Sequence, residues 1–380
     1  MLMAPLHLSV FAGTTLPVPL PPDLTARLRS VRVRETDSDR SVFTLVFDAG
    51  RSGPTAAVDT PVTQRSVIAP FSRIWVVVTF GSLSRVLMDG IVTAVELTPG
   101  DAAGQATLSV AGEDVSYLLD REESDVEHCA LNAYRQVLKI LAPYVAKRIV
   151  EDATEPIASS TPSPVDWIPT QHATDLRHLT DLARAHGFVA YVLPGPSLAS
   201  SRFYWGPPIR GASPQPALSV DLGPDTNVTS IRFRTDALAP LLVEGDLEDP
   251  TTGVDIPVTT AGSTRIPLSA QPLWARHFGD IRRRRRVRDS GIGPVTAFAR
   301  AQAEVDHSSD AVVAEGVADG GRYGEVLRSR ALVGLRGAGW SHDGLWYVRQ
   351  VEHELAPGQY TQKFTLARDG HGSTTPVVRP

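Results

Sequence analysis

Residues 337–368 read GAGWSHDGLWYVRQVEHELAPGQYTQKFTLAR. Two β-favouring runs, LWYVRQVEHEL and GQYTQKFTLAR, flank the turn residues APG, so the segment is expected to be a hairpin. In its second arm Tyr360, Gln362, Phe364 and Leu366 share one face, and Thr361, Lys363 and Thr365 share the other. The first arm has an echo upstream. MDGIVTAVELTPG (88–100) and HDGLWYVRQVEHELAPG (342–358) each run Asp-Gly, apolar strand, Val-Glu, Pro-Gly, the second being two residues longer before Val-Glu. Generic hairpin chemistry accounts for such an echo, and so does a duplicated β domain.

Outward from the hairpin, β patterning dominates. LRSVRVR, SVFTLVF, RIWVVVTF, RVLMDGIVTAVEL and ATLSVAGED lie between 28 and 120, and ALSVDL, NVTSIRFR, APLLVEGD and GVDIPVTT between 217 and 260. The 30 Pro and 30 Gly among 380 residues favour turns and short strands, while 42% hydrophobic residues exclude wholesale disorder. Helices are expected in three places. ESDVEHCALNAYRQVLKILAPY has Ser124 and Glu127 at capping-box spacing, with Val126, Ala130, Ala133, Val137, Leu138 and Leu141 on one stripe. TDLRHLTDLARAHGFVAYVL places Leu176, Leu179, Leu182 and Ala183 on one face, Gly187 after the helix end, and a strand over Phe188–Leu193. PVTAFARAQAEV supplies the third helix, at 294–305.

The expected fold class is mainly β with α insertions (α+β), organised as two related β-barrel domains plus small helical and α/β accessory parts. The expected division is an arm over 1–27, a first barrel over 28–120 and an insertion over 121–216. A second barrel over 217–370 carries an Arg-rich loop at 276–292, and a tail occupies 371–380. The apolar N-terminus has no Lys/Arg flank and is broken by Pro5, Pro17, Pro19, Pro21 and Pro22, so neither a signal peptide nor a membrane span is expected there. Assembly in the cytoplasm follows as an expectation. Cys129, the single cysteine, rules out an intrachain disulfide.

The order of these parts resembles the baseplate hub family of contractile phage tails and related injection systems, including late control D proteins and the hub portion of type VI spike proteins. The matching residues are Asp175, Leu179, Leu182, Ala183 and Gly187, then Gly337, Gly339, Gly344, Tyr347, Val348, Val351, His353, Gly358 and Tyr360. His178 departs from the family's usual aromatic, and 263–292 has no counterpart. The resemblance implies that the barrels are tube-like, in a homotrimer whose six barrels ring a central channel, with an inner tube protein above, a separate spike below, and contacts with other baseplate components. Only DGHGSTTPVVRP follows the hub pattern, too short for a spike barrel and needle.

Catalytic, cofactor and metal residues are not assigned. His353 lies on an alternating strand and reads as a core or interface residue. Trp340-Ser341-His342-Asp343 reads as a turn, because adjacent residues do not converge as a triad. Cys129 is expected on the apolar side of its helix. His172, His178 and His186 lack one-face spacing for a metal, and no phosphate-cradling glycine motif occurs. One charge run remains: DIRRRRRVRDSG (280–291) holds Arg282, Arg283, Arg284, Arg285, Arg286 and Arg288 in a chain of net charge -5. A solvated loop or an interface with acidic neighbours is the expected role. Direct nucleic-acid binding is the alternative, although aromatics are not interleaved. A cell-wall hydrolase is a further alternative, lacking an identifiable carboxylate pair.

Overall fold

Short alternating runs become strands, and the helical stripes become helices in part, in a computed structural model describing residues 6–13, 17–50, 68–101, 105–157, 159–165, 168–195, 200–248, 253–289 and 293–376. The first elements are β1 (Leu6–Gly13), β2 (Val18–Pro19) and α1 (Pro22–Thr25). Five longer strands follow: β3 (Leu28–Thr36), β4 (Val42–Asp48), β5 (Arg73–Phe80), β6 (Leu83–Thr98) and β7 (Thr107–Asp114). Then come β8 (Glu123–Glu127), α2 (Ala133–Leu141), β9 (Ile149–Ala153), β10 (Thr170–Thr174), α3 (Asp175–Ala185), β11 (Val189–Pro194) and β12 (Ser201–Gly206). β13 (Gln215–Ser219) and β14 (Val228–Thr235) lead to β15 (Leu241–Glu248), β16 (Asp255–Thr259), β17 (Gln271–Pro272), α4 (Leu273–Arg276), β18 (Arg282–Asp289) and α5 (Pro294–Ser308). The chain returns through β19 (Val312–Asp319), α6 (Gly320–Tyr323), β20 (Leu332–Arg336), β21 (Gly344–Ala356), β22 (Gln359–Arg368) and β23 (Gly370–His371). The fold is mainly β with helical insertions, as expected.

A 13-stranded sheet runs β14-β19-β22-β21-β3-β4-β7-β6-β5-β1-β2, with β20 joining β21 and β13 joining β20. Within it the order β3-β4-β7-β6-β5 recurs as β14-β19-β22-β21-β20. The registers agree too. Val31, Leu45, Val110 and Val95 pair in succession across the first set, as Ile231, Gly316, Phe364 and Val351 do across the second. Even the bulges coincide, one at Leu28/Ser30 and Val228/Ser230, the other at Val92/Ala94 and Val348/Gln350. A bulge re-aims a strand by one residue, so two coincident bulges mark two copies of one unit. The sequence carries a second trace of this copy, SVRVR at 30–34 and SIRFR at 230–234. Val95-Glu96 and Val351-Glu352 are equivalent, as the echo suggests. Asp89-Gly90, however, lies inside β6, whereas Gly344 opens β21, because β6 extends backwards to pair with β5.

Each unit has its own apolar core, around Phe43, Leu45 and Val110 in the first and around Trp346, Val351 and Phe364 in the second. A third core, including Val137, Leu141, Leu179, Phe203 and Trp205, holds α2 and α3 against β11 and β12. Thr174 caps α3 by accepting from the Arg177 amide at 3.4 Å, and Gly187 ends it at φ +69°.

Three expectations are corrected. Residues 1–27 are not merely an arm: β1 pairs with β5 from Leu6 to Gly13 and buries Val10 and Ala12 in the first core, while 1–5 and 14–16 lie outside the described residues. The helix expected from Ser124 begins instead at Ala133. Asn132 caps it at 2.9 Å from the Arg135 amide, Ala130 at φ +54° breaks the preceding stretch, and Glu123–Glu127 pairs with β10. Cys129 is therefore exposed before the helix, not on its apolar side. Finally, the Arg run within the expected loop, Arg282–Arg288, is not a loop but part of strand β18, whose backbone pairs in parallel with β15; 290–292 lie outside the described residues.

The first core leaves no room beneath one glycine. A Cβ on Gly112 would lie 2.2 Å from the Ile91 carbonyl oxygen and 2.5 Å from the Phe43 ring. Gly112→Ala is expected to lower unfolding free energy by about 2 kcal/mol in urea titration. A loss under about 0.5 kcal/mol would mean that the strands part without resistance.

Candidate assembly edges

The edge of β3 is covered from within the chain. β21 pairs with β22 along one side; along the other it pairs first with β20 and then, from Gln350 to Leu355, with Thr36 to Val31 of β3. Outward-facing charges cross this joint. Arg32 Nη2 lies 2.8 Å from Glu354 and its Nε 3.7 Å from Glu352, and Lys363 Nζ lies 3.0 Å and 3.5 Å from the same two carboxylates. On the inner face His353 is fully buried, its Nδ1 2.9 Å from the Tyr360 hydroxyl. Glu35 accepts from Arg328 at 2.6 Å, and Arg328 also donates to the carbonyls of Val86 and Leu87. Burial pushes the Glu35 carboxyl up, but Arg328, His353 and Arg330 outweigh it and hold it below the ordinary range.

Among the described residues the equivalent edges elsewhere are open. There β14, the counterpart of β3, ends the large sheet and pairs only with β19. Likewise the second half of β6, the counterpart of Gln350–Leu355, pairs among the described residues with β7 alone beyond Val92. Burial reports the difference directly: Val31 and Val33 are buried, whereas Ile231 and Phe233 are half-buried, and Leu97 is 42% exposed where its equivalent His353 is fully buried. By the same register Arg234 and Glu96 correspond to the facing pair Arg34 and Glu352. Paired β edges satisfy backbone N–H and C=O groups, and an unpaired edge with complementary charge is a template for another strand. These residues were not singled out in the sequence. The five-residue echo at 30–34 and 230–234 is the signal that finds them.

The Arg run stands apart from these edges. β18 is an edge strand of a three-stranded sheet, β16-β15-β18. Arg283 lies 2.8 Å from Glu244, and Arg284 pairs with Glu304 on α5. Arg282 and Arg285 are exposed with no ion pair among the described residues. Arg286 and Arg288 share the strand, but their side chains lie outside the described residues. The remaining candidates disperse. Trp340–Asp343 is a turn in which Asp343 accepts from the Ala338 amide at 2.8 Å. His178 stacks on His128 at 5.4 Å with Gln136 and Gln171 as partners, His172 meets Asp125, and His186 packs on Trp205.

Two outcomes are expected. Burial pulls the His353 imidazole down to about 4. Between that value and an unfolded pKa near 6.5 the unfolded chain binds the extra proton, so stability falls as pH drops through this window, by about 3 kcal/mol in all. His353→Gln flattens this part of the stability profile in denaturant titrations at stepped pH. Arg282→Ser with Arg285→Ser changes unfolding free energy by less than about 1 kcal/mol, because exposed charges contribute little. A calorimetric drop as large as a core truncation would contradict that exposure.

No family model and no curated protein matches the sequence. Solved structures do match the fold. A tail protein from Neisseria meningitidis MC58 superposes with TM-score 0.62 at 12% identity, covering 96% of this chain and 97% of that one. The 43 kDa tail protein of prophage MuSo2 from Shewanella oneidensis gives 0.65 at 13% identity, over 96% and 99%. An E. coli component of the type VI secretion system, described as structurally similar to the T4 tail proteins gp27 and gp5, gives 0.52 at 12% identity, over 93% and 78%. At such identities the likeness is one of fold, shared with phage tail proteins and a type VI secretion component.

Proposed function

We propose that this chain is the structural baseplate hub of a phage tail or contractile injection system. It forms a homotrimer that joins a hexameric inner tube to a separate spike protein and surrounds the central channel. The observation that carries this reading is the duplicated unit with one joint closed inside the chain and the equivalent joint left open. If β14 of one subunit pairs with the second half of β6 of the next as β3 pairs with β21, the same relation repeats around a ring. Three chains then contribute six units, matching a six-fold tube on one side. The division into tube-like domains at 28–120 and 217–370 around an insertion at 121–216 belongs to this proposal. So do contacts with other baseplate components and assembly in the cytoplasm before incorporation into the particle. Among the described residues no helix is long and apolar enough to cross a membrane.

The fold likeness to tail proteins favours architecture over catalysis. For Arg282–Arg288 we favour contact with an acidic baseplate neighbour over nucleic acid, since Glu244 and Glu304 already engage Arg283 and Arg284. A cell-wall hydrolase has no assigned catalytic pair.

The shared register supplies a direct test. In a Cys129→Ser background, Arg234→Cys with Glu96→Cys is expected to give disulfide-linked dimers and closed trimers under mild oxidation, resolved by non-reducing electrophoresis. Glu96→Arg alone is expected to shift the trimer to monomer in sedimentation, and Arg234→Glu added to it to restore the trimer. Monomer in every case, with tube and spike proteins present, would sink the ring.

A further inference from the structure

Where α3 and α5 face β21, the structure encloses an open cavity of about 820 Å³, within the size range of small-molecule sites. Its floor is a buried polar cluster. The Asp310 side chain, 2% exposed, presents Oδ2 to three guanidiniums: it pairs with Arg210, lies 3.4 Å from Arg349 and lies 3.6 Å from Arg265. Arg265 Nη2 lies 3.3 Å from His307 Nδ1. One carboxylate oxygen thus serves three cations. Among the described residues, Arg265 Nε, Arg210 Nε and Nη1 and the Tyr347 hydroxyl remain without hydrogen-bond partners, against two unpartnered acceptors, Asp310 Oδ1 and, on the Arg210 side, Asp369 Oδ2, whose carboxyl burial pushes up.

Buried donors without acceptors cost free energy, and a buried positive surplus costs more. The other carboxylates on the wall do not remove the imbalance. Asp181 lies 3.0 Å from Arg184, and Glu304 is engaged by Arg284. Burial pushes the Asp37 carboxyl up, which disfavours its charged form. Arg300 lines the same wall, exposed and without an ion pair among the described residues. A ligand that offers acceptors only, with negative charge, completes this arrangement; a cation or an apolar ligand does not. Guanidiniums meet phosphate and carboxylate oxygens in bidentate geometry.

We propose that this cavity is a binding site for a small oxyanion, of the phosphate or carboxylate class, held by Arg265, Arg349, Arg300 and the Tyr347 hydroxyl. The site is separate from the assembly edges and does not depend on the hub reading.

Calorimetric titration of the full chain at low salt with inorganic phosphate, and separately with citrate, tests it. Saturable binding is expected for at least one. A preference for phosphate assigns the phosphate class, and a preference for citrate the carboxylate class. Arg300→Gln, at an exposed position, and Tyr347→Phe are each expected to weaken binding about tenfold or more. Circular dichroism confirms that both variants fold. Tyr347→Phe also separates a ligand site from a packing defect: the ligand-free variant keeps or gains thermal stability, because an unpaired buried hydroxyl is lost, while its anion affinity falls. Absence of saturable binding, or binding that neither variant changes, overturns the proposal.

Discussion

β3 finds its second partner roughly 320 residues downstream, in β21, and the arrangement of the two units rests on that pairing. Without it the first unit would leave the backbone groups of Val31 to Thr36 unpaired on a flank where Glu35 is buried and ionised. The pairing also ties the second unit to the first core, since Leu355 and Tyr360 from the second unit pack among the residues of the first. Backbone hydrogen bonds, the Arg32 charge network and apolar contact all act across one strand interface. A break there would expose three kinds of unmet demand at once.

The sheet was legible wherever local pattern dictates it. The hairpin at 344–368 announces itself through alternation and APG, and the strands between 28 and 114 fall between turn residues as expected. Reading failed where a distant partner decides. Ser124 and Glu127 have the spacing of a helix cap, yet β10 claims their backbone and Asn132 supplies the real cap. Five consecutive arginines repel one another and show no alternation, but β15 offers a ladder, and an edge position leaves Arg282 and Arg285 exposed and Arg283 and Arg284 against Glu244 and Glu304. The open edges were legible in principle through SVRVR and SIRFR, although their meaning needs the bulges and registers that only coordinates reveal. The buried Asp310 cluster could not be read at all. Its members come from four distant parts of the chain.

The two copies diverge in what hangs from their connections. Between β3 and β4 the chain spends only Asp37 to Ser41, a tight turn, whereas the matching connection between β14 and β19 carries β15, β16, β18 and α5. Strand order, register and bulges are kept; loops are not. This is the pattern expected when edge geometry is constrained by pairing and connections are constrained only by solubility and local contacts.

The β3·β21 pairing also sets an order of events during synthesis. The five strands of the first unit have all been made by Asp114, but the stretch that covers β3 ends at Leu355. At ribosomal speeds of about 5–20 residues per second, the roughly 240 residues between them take on the order of ten to fifty seconds. For that interval the nascent first unit carries an exposed strand edge on each side, in a cell where sister chains are being made from the same message. Loop-closure entropy slows the long-range contact further. The interval is a window for premature pairing between nascent chains, and the charges on β3, Arg32 and Arg34, face each other with like sign when two such edges meet.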